Sequence, residues 1–124
     1  MRPLITKAYW LVALALLALF AADAAHAYSR QLRAPVLGIL TGNTYNGCMV
    51  KIGKLPTTSG LDCADNWVTL DCDGEWMDIT DARNNLKSAQ MALALNKRIN
   101  ITVDDRFATD RGDYCLAKQV ILLK

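Results

Sequence analysis

Three carboxylates, Asp71, Asp73 and Glu75, crowd into the stretch WVTLDCDGEW from Trp67 to Trp76. Two nearby carboxylates are the equipment of glycoside hydrolysis, one as acid and one as nucleophile or base. Alternating acids ahead of a glycine also suit calcium, yet Gly74 arrives too early for an EF-hand loop and the later ligands are out of register. Nothing else in the chain builds a deep cleft around these acids, so they read as a solvated strand end. The single histidine, His26, lies in a segment that reads as an export leader. Beyond it there is none, which removes Ser-His-Asp and Cys-His catalysis, histidine-bound metals and the usual pH switch. Cys48, Cys63, Cys72 and Cys115 are separated by 15, 9 and 43 positions. A structural zinc site needs closely paired thiolates. The expectation is a protein with no catalytic residues, no metal and no cofactor.

The leader decides the compartment. Arg2 and Lys7 give a positive start, Ala8 to Ala22 is a 15-residue uncharged apolar run, and Ala25-His26-Ala27 offers a small-x-small cleavage site. The run is shorter than the ~20 residues of a spanning helix. Cleavage after Ala27 is expected, with a secreted or periplasmic product and no membrane span left. The remaining 97 residues, 28–124, suit one domain with a modest core. Leaving out Arg2, Lys7 and Asp23 gives 12 basic and 11 acidic residues, a net +1. No basic tract points to nucleic acid and no acidic tail to a solvating segment. An even number of cysteines on the export side predicts two disulfides.

These residues must be positioned by a small set of elements. Tyr28 to Ala34 is polar and basic and reads as an arm. Pro35 opens a short strand, Val36 to Leu40, and Asn46-Gly47 is a hairpin signal. In the second strand Cys48, Val50 and Ile52 face one way, Met49 and Lys51 the other. Gly53 to Asn66 is a loop. The third strand, Trp67 to Cys72, turns Val68, Leu70 and Cys72 inward and Trp67, Thr69 and Asp71 outward. Asp78 or Thr80 caps a helix to about Asn96, with Ala82, Leu86, Ala89 and Leu93 on one face. Ile99, Ile101 and Val103 alternate as a fourth strand. Asp104 to Asp113 is a polar loop before a fifth strand, Tyr114 to Leu123. The order β-β-β-α-β-β in an α+β, mostly β chain predicts an OB-fold-like five-stranded barrel, with a five-stranded α+β sheet of another topology as the alternative.

Four cysteines allow three pairings. If Ile52 meets Val68 and Val50 meets Leu70, Cys48 falls opposite Cys72, leaving Cys63 for Cys115. The rival, Cys48 with Cys63 and Cys72 with Cys115, stays open at this level.

The segment GCMVKI, the AQMA of the helix (Ala89 to Ala92) and the helix exit NKRINITV (Asn96 to Val103) resemble the binding subunits of subtilase cytotoxin and typhoid toxin. That resemblance implies an OB-fold, export, pentameric assembly and a sialylated glycan as ligand. Those subunits carry a long aromatic, proline-containing segment after the fourth strand. Here Asp104 to Asp113 stands in its place, so no glycan-contact residue carries over.

Candidate ligand contacts follow from the outward face of strands two and three, a surface on which OB-folds bind oligomers. Met49, Lys51, Trp67 and Thr69 share it. Asn43, Tyr45 and Asn46 join from the first loop, and Arg106, Phe107 and Arg111 from the last. Trp67 is the foremost, as an outward aromatic ring able to stack on a sugar or a partner. Trp76 reads as an anchor for the turn before the helix. Arg111-Gly112-Asp113 is an ordinary charged loop, and Asn100-Ile101-Thr102 a sequon inside a strand. The expected function is a small exported, non-catalytic binding module for a glycan or protein. The alternative is a secreted inhibitor or envelope structural protein acting through protein contact.

Overall fold

The computed structural model describes residues 28–107 and 112–124. The expected leader, its cleavage site and Arg111 lie outside them. The elements are β1 (Ser29–Thr41), β2 (Cys48–Ile52), β3 (Trp67–Thr69), α1 (Ile79–Ala94), β4 (Arg98–Asp104) and β5 (Leu116–Leu122). The architecture is a five-stranded mixed sheet with one helix in the expected element order, and it carries the two disulfides expected from the cysteine count.

The arm is a strand. Residues 28–35 carry an alternation that continues into the apolar run, with Leu32, Ala34 and Val36 all buried. Ser29 to Pro35 pairs antiparallel with β4, and Val36 to Thr41 pairs with β2. The changeover falls at Pro35, which has no N–H to give to either neighbour. Its carbonyl accepts the Gly53 amide at 2.9 Å, and a Cβ at Gly53 would sit 2.6 Å from the Pro35 ring. Only glycine fits that approach.

β3 pairs with β2 antiparallel and with β5 parallel, through Thr69 and Leu116. The order β1-β2-β3-β5-β4 therefore closes on itself. Partners can be followed once round the ring, from Ser29 through Asp104, Leu116, Thr69 and Met49. The path returns to β1 at Leu40, eleven residues past its start. Such a stagger tilts the strands and brings the interior side chains into one packed core.

That core is aliphatic: Leu32, Val50, Ile52, Val68, Leu70, Ile99, Ile101, Val103 and Leu116 are almost wholly buried. Each such side chain contributes roughly 1.5–3 kcal/mol through its removal from water. Asp78 caps α1, accepting the Thr80 amide at 2.8 Å and the Asp81 amide at 3.4 Å. The buried face of α1 is Ala82, Asn85, Ala89 and Ala92, with Leu86 partly buried; Leu93 is 41% exposed, contrary to its expected inward place. The helix lies mainly against β5 and β1, and its alanines let the backbones approach closely.

Both disulfides are the favoured pairs, but the register is not the expected one. Val50 meets Val68 rather than Leu70, so Cys48 lies across from Leu70 and reaches Cys72 two residues further on, where the chain has already left the strand. Cys48–Cys72 and Cys63–Cys115 bridge Cα atoms 5.5 and 5.4 Å apart. Among the described residues no helix is long and apolar enough to cross a membrane.

Candidate binding surface

The outward face of β2 and β3 is not the open platform that alternation implied. Met49 and Thr69 do point away from Val50 and Val68, but they are only 2% and 3% exposed. The first loop folds over them. Thr69 donates its hydroxyl to the Tyr45 carbonyl at 3.1 Å and accepts the Asp71 amide. Neither residue presents a surface to a ligand. Lys51 and Trp67 remain on the wall, half-buried, with the ammonium 5.8 Å from the indole centroid and the ring 3.7 Å from the Cβ position of Gly38.

The carboxylates of the acidic stretch have separate fates. β3 ends at Thr69, and Asp71 takes a left-handed conformation (φ 57°) that swings its side chain inward. Asp71 is fully buried. Its Oδ1 accepts the Asn46 side-chain amide (3.0 Å) and the Glu75 amide (3.1 Å), and its Oδ2 accepts the Trp76 and Met77 amides (2.7 and 2.8 Å). The solvated strand end expected here is thus a buried turn organiser. Asn46, expected to face a ligand, is buried with it and also donates to Glu75 Oε2 at 2.9 Å. Buried polar groups are tolerated only when hydrogen-bonded, and these all are. Asp73 and Glu75 stay at the surface.

At the end of β4 a second buried carboxylate, Asp104, gathers two cations. Arg106 donates from Nε at 3.0 Å and from a terminal nitrogen, and Lys118 Nζ lies 3.2 Å away. Burial raises the Asp104 pKa, but the Arg106 and Lys118 hydrogen bonds outweigh it and hold the carboxyl below its usual range. Asp78 is lowered as well, by the Thr80 hydrogen bonds first. Groups with depressed folded values stabilise fully above the unfolded pKa near ~4 and lose that contribution as pH falls through the folded one. Urea midpoints should therefore be level from pH 7 to 5 and drop below about pH 4. Asp104→Asn should flatten part of that acid slope, and an unchanged slope would dissociate Asp104 from it.

The aromatic residues are the notable surface feature. Six lie in 28–124, and none belongs to the buried core. Five collect around the strand ends where the loops 42–47, 70–78 and 105–115 meet. Tyr45 and Tyr114 form an edge-on pair at 5.3 Å. Trp76 stacks obliquely on Phe107 at 5.5 Å, so it anchors its turn against the last loop rather than against the core. The Arg106 guanidinium lies 5.9 Å from both the Tyr28 and Phe107 rings. Asn43 is exposed beside this group. Of the expected contacts, Tyr45, Asn43, Arg106 and Phe107 share this end, while Lys51 and Trp67 form a separate patch on the wall.

Among the described residues no cluster of three or more His, Cys, Asp or Glu side chains is placed to hold a metal ion. No protein-family model, curated protein or solved structure matches this chain.

Sequence reasoning missed Tyr28 and Tyr114 as members of this end and Asp71 and Asp104 as buried carboxylates. One signal was present. Residues 28–61 hold no acid, 62–81 hold seven acids and no base, and 82–103 hold four bases and no acid. The fold brings the acidic segment beside the last loop, since the Asp62 amide donates to Asp105 and the Ala64 amide to the Asp113 carbonyl.

Proposed function

We propose that this chain is an exported, non-catalytic binding module of OB type that engages its ligand at the loop end of the strand ring. The fold reading is supported by the closed order of five strands, the parallel β3–β5 pair and the helix between β3 and β4. Barrels of that kind bind through the loops joining strands one to two and four to five. Here those loops carry Tyr45 and Tyr114, the edge-on pair.

The observation that carries the reading is the exclusion of every aromatic residue of 28–124 from the core. Large aromatics ordinarily supply core area. A small domain that keeps all six at the surface, five of them at one end, forgoes that burial, and aromatic and arginine side chains are what binding hot spots are made of. Two disulfides compensate for the lean aliphatic core.

Glycan- and peptide-array screening of the purified protein tests this reading. Binding lost in Tyr45→Asn but kept in Trp67→Ala is the expected result, with folding checked by circular dichroism. Loss only in Trp67→Ala would move the site to the wall of β2 and β3, and no ligand on either array would count against a binding module. The narrower reading, a pentamer of the toxin type, is removed by light scattering if the protein is monomeric at every concentration.

A further inference from the structure

We infer that the Tyr45–Tyr114 pair receives a positively charged side chain, an arginine or lysine, from a basic segment of a partner protein. This rests on the reading of the loop end as the binding surface and names its ligand chemistry. The molecule already shows how its outer aromatics are used. Lys51 sits over Trp67, and Arg106 sits over both Tyr28 and Phe107 while also pairing with Asp104. The Tyr45–Tyr114 pair has no such lysine or arginine over it among the described residues.

Its surroundings are those a cation prefers. Asp113 precedes Tyr114 directly. Asp73 is also near, its amide bonded to the carbonyl of Asn46, the residue after Tyr45, and its carboxylate packed against Gly47. Both carboxylates are exposed, and neither enters an ion pair among the described residues. Among the described residues the cations Arg106 and Lys118 both converge on Asp104 and pair with neither of these two acids. Aromatic rings with carboxylates nearby attract a guanidinium or ammonium by cation–π and Coulomb terms together.

A protein segment is favoured over a free amine because the pair is open, with Tyr45 39% exposed. Small cations are held in enclosed cages, whereas an open, negatively charged rim suits an extended chain offering several charges. The same field disfavours an anionic, sialylated glycan, the ligand implied by the toxin-subunit resemblance.

The test is two-dimensional NMR of the intact protein titrated with a nine-residue arginine-rich peptide, its glutamate-rich counterpart, a neutral oligosaccharide and a sialylated one. The basic peptide should shift Tyr45, Gly47, Asp73 and Tyr114. Asp73→Asn with Asp113→Asn, or Tyr45→Asn, should weaken it roughly tenfold, and added salt should weaken it further. Asparagine at position 45 tolerates the left-handed backbone there (φ 54°), so that variant keeps its fold. If the neutral or sialylated oligosaccharide shifts these residues and the basic peptide does not, the cationic partner is overturned while the binding surface stands. If nothing shifts them, both are overturned. Concentration-dependent shifts of the protein alone at these residues would assign the pair to a second copy of the chain and overturn the foreign partner.

Discussion

Asp71→Asn is expected to destabilise the protein by about 2–3 kcal/mol, and Asp71→Ala by about 3–5 kcal/mol. The carboxylate accepts from four donors on two segments, the Asn46 side chain and the consecutive amides of Glu75, Trp76 and Met77. An asparagine keeps the shape and the left-handed backbone but offers one acceptor where two were used. Its oxygen satisfies either the Trp76 and Met77 amides or the Glu75 side, and its NH2 then faces a donor. Asn46 can turn its own amide to help only by losing its bond to Glu75. Alanine removes every acceptor and adds the cost of a positive φ without a polar side chain. Urea unfolding with the disulfides intact measures the difference. A loss under about 1 kcal/mol would mean that the Cys48–Cys72 bridge, one residue away, holds the turn alone.

The second large effect concerns the other bridge. Cys63–Cys115 closes 52 positions of chain and Cys48–Cys72 closes 24. On the chain-entropy account, removing the longer one as a double serine variant costs about 4 kcal/mol, and the shorter about 3.5. The longer bridge also ties the 61–66 segment to the start of β5, where β3 and β5 share a single residue pair. Its loss should therefore exceed the entropic figure and expose the β3–β5 seam to hydrogen exchange. Equal protection in both variants would show that the seam is held by packing rather than by the bridge.

Strand alternation made the inward half of the molecule legible. Val50, Ile52, Val68, Leu70, Ile99, Ile101 and Val103 occupy the places their spacing demanded, and the shared inward side of Cys48 and Cys72 led to the observed cysteine pairs although β2 meets β3 two residues away from the expected register. What alternation cannot carry is the covering of an outward face by a loop, which is how Met49 and Thr69 came to be buried. Nor does it anticipate a backbone that turns left-handed at Asp71 and reverses the side chain's direction. The segment 28–34 looked like an arm because its charged residues mask a period of two, and its partner, β4, lies some seventy positions away. The candidate site was half visible. Tyr45 and Phe107 were recognisable as loop aromatics, but their company, Tyr28, Trp76 and Tyr114, depends on contacts no local pattern encodes.

Asn85 decides what can pair with β5. Beyond Leu116, β5 has β4 on one side only, and an open edge of that kind invites a foreign strand. Asn85 reaches down from α1 and fills the place of a peptide unit, its oxygen accepting the Val120 amide at 3.0 Å and its nitrogen donating to the Lys118 carbonyl at 3.3 Å. A single side chain thereby terminates the ladder and denies it to β-augmentation. The same blocked edge also denies a second copy of the chain a strand to pair with.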